Sequence, residues 1–357
     1  MMDTINKNTG VSYRVHAFYY SWYASEKVNG KWSHWNHETI PHWTASTNMR
    51  YPRRQHHPPE DIAAKFYPQL GPYSSTDPEV IRDHMKQLIR GGIGVLALSW
   101  YPPSMRDDNA IVFVNDFVPL ILDIADEFQE KVCFHIEPYT NRTAKSVRHD
   151  IAYLIDHYGG HPAFYRYKNK PLIYIYDSYT VPSEDWKELL TSSGSYTIRN
   201  TPYNAYVIGL FVNQADSYAL NQGGFDGSYT YFASQGFVYG SSISNWKRMK
   251  ESSPGLFIPS VGPGYDDSPV RPWNGVNTKS RNNGNYYREM WKAALQLKPE
   301  IISITSFNEW HEGTQIETAV KKQGYDDYGR DPDMYLKITK EMVKQMNYSH
   351  VCNRNKA

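Results

Sequence analysis

Short apolar, β-branched runs alternate along this chain with longer segments in which apolar residues return every third or fourth position. Eight such runs occur: Val15–Tyr23, Ile93–Trp100, Lys131–Pro138, Leu172–Asp177, Ala205–Val212, Phe225–Phe232, Leu256–Val261 and Ile301–Phe307. Several are apolar almost throughout, as strands buried on both faces of a parallel sheet are. Amphipathic helical segments lie between them. Asp77-Pro78-Glu79 opens VIRDHMKQLIRGG with a capping Asp, a first-turn Pro and closing glycines. FVPLILDIADEFQE, SVRHDIAYLIDHYGG, SEDWKELLTSSG, SNWKRMKE and NYYREMWKAALQL continue the pattern, and DPDMYLKITKEMVKQM follows the last strand. The fifth unit is the weakest, with only QADSYALNQ between two strands. Strand–helix alternation repeated eight times predicts an α/β fold, a (β/α)8 TIM barrel. A doubly wound open sheet is the alternative, although no Gly-rich phosphate loop follows the first strand.

Three irregular stretches interrupt the alternation, at residues 24–76, 101–116 and 262–280. Each follows a strand, which places it on the C-terminal face of a barrel, and loops of such length usually carry function. Residues 1–12 are expected to be a disordered N-terminal segment, 13–347 a single catalytic domain and 348–357 a tail.

Charge narrows the partners. The 38 basic and 37 acidic residues of the 357 nearly cancel and form no basic stripe, so neither nucleic acid nor an anionic membrane is an expected partner. No apolar run approaches the ~20 residues that span a bilayer, and MMDTINKNTG has no signal-peptide apolar region. A soluble chain without membrane contact is expected. Cys133 and Cys352 form neither a disulfide framework nor a metal spacing. The 30 Tyr and 10 Trp suit a carbohydrate groove, although such rings also pack ordinary cores.

The candidate chemistry lies at strand ends. Glu137 closes the third strand, Asp177 the fourth, and Glu309 with Glu312 follows the eighth, inside SFNEWHEGT beside Asn308 and Trp310. Clustered carboxylates at a barrel mouth are what acid/base cleavage of a glycosidic bond requires. The competing reading is a helix-capping or ion-paired carboxylate, and it weighs most for Asp177. In an extended strand, positions i and i+3 point to opposite faces. Glu309 and Glu312 therefore reach one substrate only through a turn, which Gly313 fits. Such a pair need not straddle the sugar ring as an ordinary nucleophile and acid would.

Rings form a second set. Phe18, Tyr20 and Trp22 share one face of the first strand, Tyr229 and Tyr231 one face of the sixth, and Tyr101 lies just beyond the second. Rings within strands fill cores as readily as they stack on sugars, so only Tyr101 favours binding by position. His34, His37, His42, His56 and His57 crowd the first long loop without metal-ligand spacing, and HEGTQ is not HExxH. No metal or other cofactor is expected. No G-x-S-x-G elbow is present either.

With these motifs assembled, the chain resembles family 99 of the glycoside hydrolases, its animal members in particular. The similarity is carried by HAFYYSWY, KWSHWNH, HHPPEDI, FYPQLGPYSS, GVLALSWYPP, FHIEPY, HPAFYRY, IYDSY, FDGSYTYFA, FIPSVGPGY, RPWN and SITSFNEWHEGTQIE, in order from about residue 13 to 318. The resemblance implies a (β/α)8 barrel and retaining cleavage of internal α-1,2-mannosidic bonds. In animal members the released piece is Glc-α-1,3-Man, or a longer glucosylated mannose, cut from glucosylated high-mannose N-glycans in the Golgi lumen. It further implies that Glu309 removes the proton of the mannose 2-OH, whose oxygen attacks C1 to form a 1,2-anhydro sugar. Glu312 then protonates the departing oxygen and later activates water. Glu137 matches a third pocket acid. Tyr20, Tyr229 and Tyr231 fall near tyrosines that line the cleaved-mannose subsite, with Trp22, Asn308 and Trp310 as further binding candidates. Tyr101 stands where animal members have Tyr and mannan-preferring bacterial members have Trp. Animal members carry a tail, an anchor and a stem ahead of the barrel, whereas this sequence starts about a dozen residues before its first strand. An endo-α-1,2-mannanase acting on mannan and a non-catalytic glycan-binding protein are the alternatives.

Overall fold

A computed structural model describes residues 4–103 and 114–354, with side chains for 4–103 and 115–348. Each of the eight apolar runs forms a barrel strand: β1 Ser12–Tyr19, β2 Ile93–Trp100, β3 Lys131–Ile136, β4 Lys170–Ile175, β5 Tyr206–Leu210, β6 Gly227–Tyr229, β7 in two pieces (Leu256–Ile258 and Ser260–Val261) and β8 Ile302–Ile304. Neighbours pair in parallel from β1 through β6 to the first piece of β7, and the second piece pairs with β8. β8 returns to β1 with Val15 opposite Ile302 and Ala17 opposite Ile304, which closes the ring. Pro259 divides β7 because it lacks the N–H a central ladder needs.

The strands stop short of the apolar runs, mostly at their C-terminal ends. β1 ends at Tyr19 rather than Tyr23, and β6 covers three residues of the eight expected. Beyond Tyr19 the side chain of Asn308 replaces the ladder: its Oδ1 accepts from the Tyr20 amide and its Nδ2 donates to the Tyr20 carbonyl, both at 2.7 Å. Where strands give way to side-chain bonds, the chain is free to aim residues into the barrel mouth.

The barrel interior is aromatic and polar rather than mainly aliphatic. His16 Nδ1 lies 2.8 Å from Tyr174 Oη, and His135 Nε2 lies 2.7 Å from Tyr229 Oη. Phe18 packs against His135, Tyr174, Tyr229 and Tyr231. Much of the abundant Tyr is therefore core material whose hydroxyls find partners inside the barrel.

Among the described residues, eight helices of seven residues or more cover the outside: α1 Pro78–Gly91, α2 Val118–Glu127, α3 Ala144–Tyr158, α4 Ser183–Leu190, α5 Asp216–Gly223, α6 Trp246–Ser252, α7 Asn285–Gln296 and α8 Met334–Arg354. Asp77 caps α1 by accepting from the Glu79 amide at 2.9 Å, and Gly92 ends it at φ 75°. The weak fifth unit does form a short helix, α5.

The first and third long loops fold over the C-terminal face. Residues 104–113 of the second lie outside the described residues. The Tyr13 amide donates to Thr4 O, and Ile5 bridges Ser12, so the first described residues run beside β1. Among the described residues no helix is long and apolar enough to cross a membrane.

Candidate active site

The segment after β8 is a tight turn locked from several sides. Ser306 Oγ accepts from the Glu309 amide at 2.8 Å, and the Ser306 amide donates to Thr314 O at 2.9 Å. Gly313 closes the turn at φ 60°, a left-handed conformation that glycine enters without strain. A Cβ there would stand 2.9 Å from Asp266 O. The turn lets Glu309 and Glu312 line the same cavity, as the i, i+3 spacing required.

Beneath the turn lies a buried polar network. Tyr23 Oη donates to Asn308 O at 3.0 Å and accepts from the Trp310 amide at 3.1 Å. Trp310 Nε1 and Tyr73 Oη donate to Glu317 Oε2 at 2.9 and 2.8 Å, while His84 Nε2 lies 3.2 Å from Glu317 Oε1. Asn308, Trp310 and Glu317 are fully buried.

Above the turn opens a cavity of about 340 Å³ at the C-terminal end of the barrel. Of the residues singled out in the sequence, Tyr20, Trp22, Tyr101, Glu137, Tyr231, Glu309 and Glu312 line it together. Glu137 is fixed by Ser99 Oγ, which donates to its Oε1 at 2.7 Å, and His135 Nδ1 lies 3.2 Å from the same oxygen. The hydroxyls of Tyr20 and Tyr231 are hydrogen-bonded to each other. Three expected binding residues are not among the lining. Tyr229 points into the barrel core toward His135, and Asn308 and Trp310 face down into the network below the turn. Asp177 is also outside the lining. It turns at φ 47°, and its carbonyl accepts from Arg142 Nη2 at 2.6 Å.

Arg271, Tyr176 and His311, none of them among the binding candidates of the sequence, also line the cavity. Arg271 lay within the RPWN match, yet nothing in that tetrapeptide says that its guanidinium serves the strand-eight carboxyls. It is aimed by Asp267, whose Oδ2 accepts from Arg271 Nη1 (3.2 Å), Tyr265 Oη (2.8 Å) and Asn274 Nδ2 (2.9 Å).

Both glutamates are held toward the protonated form. Glu312 is pushed up to about 7, chiefly by desolvation, with the charges of Asp267 and Glu137 adding and Arg271 opposing. Burial raises Glu309 well above the ordinary carboxylate range, and the Glu312 charge adds to this. The Glu312 amide opposes it by donating to Glu309 Oε2 at 2.6 Å. Ionisation of one carboxyl opposes that of the other, so the pair is set to keep one proton between them. Among the described residues no group of three or more His, Cys, Asp or Glu is placed to hold a metal ion.

A closed (β/α)8 barrel with two desolvated carboxyls among rings at its C-terminal mouth has the build of a glycoside hydrolase. The particular family follows from comparison with known proteins. The pattern of "Glycosyl hydrolase family 99" matches residues 10–348. A human "Glycoprotein endo-alpha-1,2-mannosidase-like protein" is 52% identical over 343 residues, 92% of this chain and 75% of that protein. A rat "Glycoprotein endo-alpha-1,2-mannosidase" is 52% identical over 344 residues, 93% of this chain and 74% of that protein. The solved structure of a family 99 endo-alpha-mannosidase from Bacteroides thetaiotaomicron superposes with a TM-score of 0.88 at 42% identity, covering 96% of this chain and 99% of that one. The chain belongs to glycosyl hydrolase family 99.

Proposed function

We propose that this chain is a retaining endo-α-1,2-mannosidase that releases Glc-α-1,3-Man, or a longer glucosylated mannose, from glucosylated high-mannose N-glycans. The observation that carries the reading is the Glu309/Glu312 pair: two desolvated carboxyls three residues apart, turned into one cavity with Glu137 and Arg271. Glu309 takes the proton of the mannose 2-OH, and the freed oxygen attacks C1 of the same sugar. The C1–O bond to the leaving sugar breaks as Glu312 delivers its proton to that oxygen, leaving a 1,2-anhydro mannose. Glu312, now ionised, removes a proton from water, which opens the three-membered ring at C1. Glu309 returns its proton to O2. Two inversions at C1 give net retention, and neither carboxylate bonds to carbon. This is a substrate-assisted route rather than the covalent two-carboxylate scheme.

Glu137, Tyr20, Trp22 and Tyr231 contact the cleaved mannose, with Tyr101 at the neighbouring glucose. The names of the animal relatives support an endo-α-1,2-mannosidase acting on glycoproteins. Residues 13–347 act as one catalytic domain, and the site of action is the Golgi lumen. The test compares hydrolysis of Glc-α-1,3-Man and Man-α-1,3-Man fluorides. Faster turnover of the glucosylated compound, with the α-configured product first in the NMR spectrum, is expected. Preference for Man-Man would move the assignment to mannan. A 2-deoxy-mannosyl substrate, lacking the internal nucleophile, should not be cleaved.

A further inference from the structure

His135 precedes Glu137 by two positions at the end of β3, so both side chains point into the barrel and the ring lies below the carboxyl. It is fully buried. Two rings of the cavity wall rest on it: Tyr231 is stacked with centroids 5.8 Å apart and planes 18° apart, and Tyr176 makes a T-shaped contact at 5.3 Å. The two ring nitrogens have different neighbours. Nε2 lies 2.7 Å from Tyr229 Oη in the core, and Nδ1 lies 3.2 Å from Glu137 Oε1.

Tyr229 decides where the ring carries its proton. Its hydroxyl is fully buried, and burial pushes its pKa far above the ordinary tyrosine range. Among the described residues its one hydrogen-bond partner is His135 Nε2. Were Nε2 protonated, the hydroxyl hydrogen would have no acceptor, a cost that buried groups seldom carry. The hydroxyl therefore donates, Nε2 accepts, and the ring proton sits on Nδ1, toward Glu137. The 3.2 Å approach lies off the ideal hydrogen-bond line, and no other acceptor engages Nδ1 among the described residues. Contacts of this kind often tighten when substrate binds. Ser99 Oγ donates to the same oxygen of Glu137 at 2.7 Å. Both donors thus address Oε1, and Oε2 is left to accept from a substrate hydroxyl.

We propose that His135 is a positioning residue for Glu137: Tyr229 fixes its proton on Nδ1, and that N–H, together with Ser99, holds Oε1 so that Oε2 meets the sugar. Tyr229 then acts on the substrate through His135 from inside the core. The inference deepens the endo-mannosidase reading and rests on it for the identity of the sugar, whereas the proton's place on the ring does not depend on that reading.

The test is a double-mutant cycle. Tyr229→Phe deletes one hydroxyl and keeps the ring, and it should lower kcat/KM on a glucosylated high-mannose oligosaccharide about fivefold to tenfold, what one good hydrogen bond is worth. In a Glu137→Gln background the same substitution should cost less than twofold, because the carboxylate it serves is gone. Tyr174→Phe is the control for a lost buried hydroxyl: Tyr174 Oη lies 2.8 Å from His16 Nδ1, and the other nitrogen of His16 has no partner among the described residues. Its effect should be equal in both backgrounds. A Tyr229→Phe effect that is equal in both backgrounds makes that hydroxyl merely structural and overturns the proposal. Should Tyr229→Phe not fold, His135→Asn, whose amide can donate from near the Nδ1 position, should retain at least fivefold more kcat/KM than His135→Leu, and equal losses overturn the proposal. Nitrogen-15 NMR of the His135 ring in Glu312→Gln protein reads the proton without turnover. An Nδ1–H ring that shifts toward Nε2–H in Tyr229→Phe supports the proposal even if the wild-type protein hydrolyses no mannoside, a result that would sink only the endo-mannosidase assignment. A ring protonated on Nε2 before substitution sinks the positioning role.

Discussion

Glu309 and Glu312 stand three positions apart yet meet different surroundings. Glu309 lies under the Glu312 amide, whereas Glu312 faces Asp267, Glu137 and Arg271. Glu312→Gln keeps the shape and removes the transferable proton, so kcat should fall about 10²–10⁴-fold; steady-state kinetics on a natural glycan check this, and unchanged turnover would remove Glu312 from the catalytic role. The sign of the pH dependence follows from the two roles. In the proposed mechanism the active form keeps one proton on the pair, on Glu312, with Glu309 ionised, so activity falls at low pH, where Glu309 is protonated, and at high pH, where Glu312 ionises. Arg271 pulls Glu312 down. Arg271→Met should therefore move the alkaline limb of the kcat profile to higher pH, and an unmoved limb would sever Arg271 from Glu312.

At the scale of elements, function sits where strands end early. β1 stops at Tyr19 and β8 at Ile304, and the chain beyond them is held by Asn308, Tyr23, Trp310 and Glu317 instead of ladder bonds. This explains why Asn308 and Trp310, flanking the carboxyls in sequence, serve the turn from below. Gly313 is the tightest point of that arrangement. In Gly313→Ala the new Cβ presses on the Asp266 backbone, and a left-handed Ala costs about 1–2 kcal/mol. Displacement of Glu312 by ~1 Å should lower kcat by roughly 10²-fold. Measured stability and kcat should fall together, with substrate binding affected far less than kcat.

For the whole molecule, the barrel carries a destabilising group away from its mouth. Glu130, just before β3, is fully buried, and its two carboxylate oxygens have no partner among the described residues. Burial raises its pKa well above the ordinary range. The folded state thus retains a proton that the unfolded chain releases above its own pKa, and stability drains as pH rises from there toward the folded value. Glu130→Leu should raise Tm by roughly 2–4 °C or more at pH 8 and by less at pH 5. A gain independent of pH would contradict the buried-acid account.

The same scale shows what was legible in the chain. The sequence alone determined the eight strands, because parallel strands buried on both faces must be apolar nearly throughout. It also singled out Glu309 and Glu312, two carboxylates just past such a strand, and the structure turns both into one cavity. What it left open was direction. Tyr229 and Tyr231 fall on one face of the expected strand, yet β6 ends at Tyr229, which is bonded to His135 in the core, and Tyr231, at φ 54°, lines the cavity. Arg271 joins the site from a loop far away in sequence, and His34 meets His311 only across the barrel mouth. Only the tertiary structure decided these, because which way a ring or guanidinium faces depends on partners tens to hundreds of residues distant, and local pattern carries no record of them.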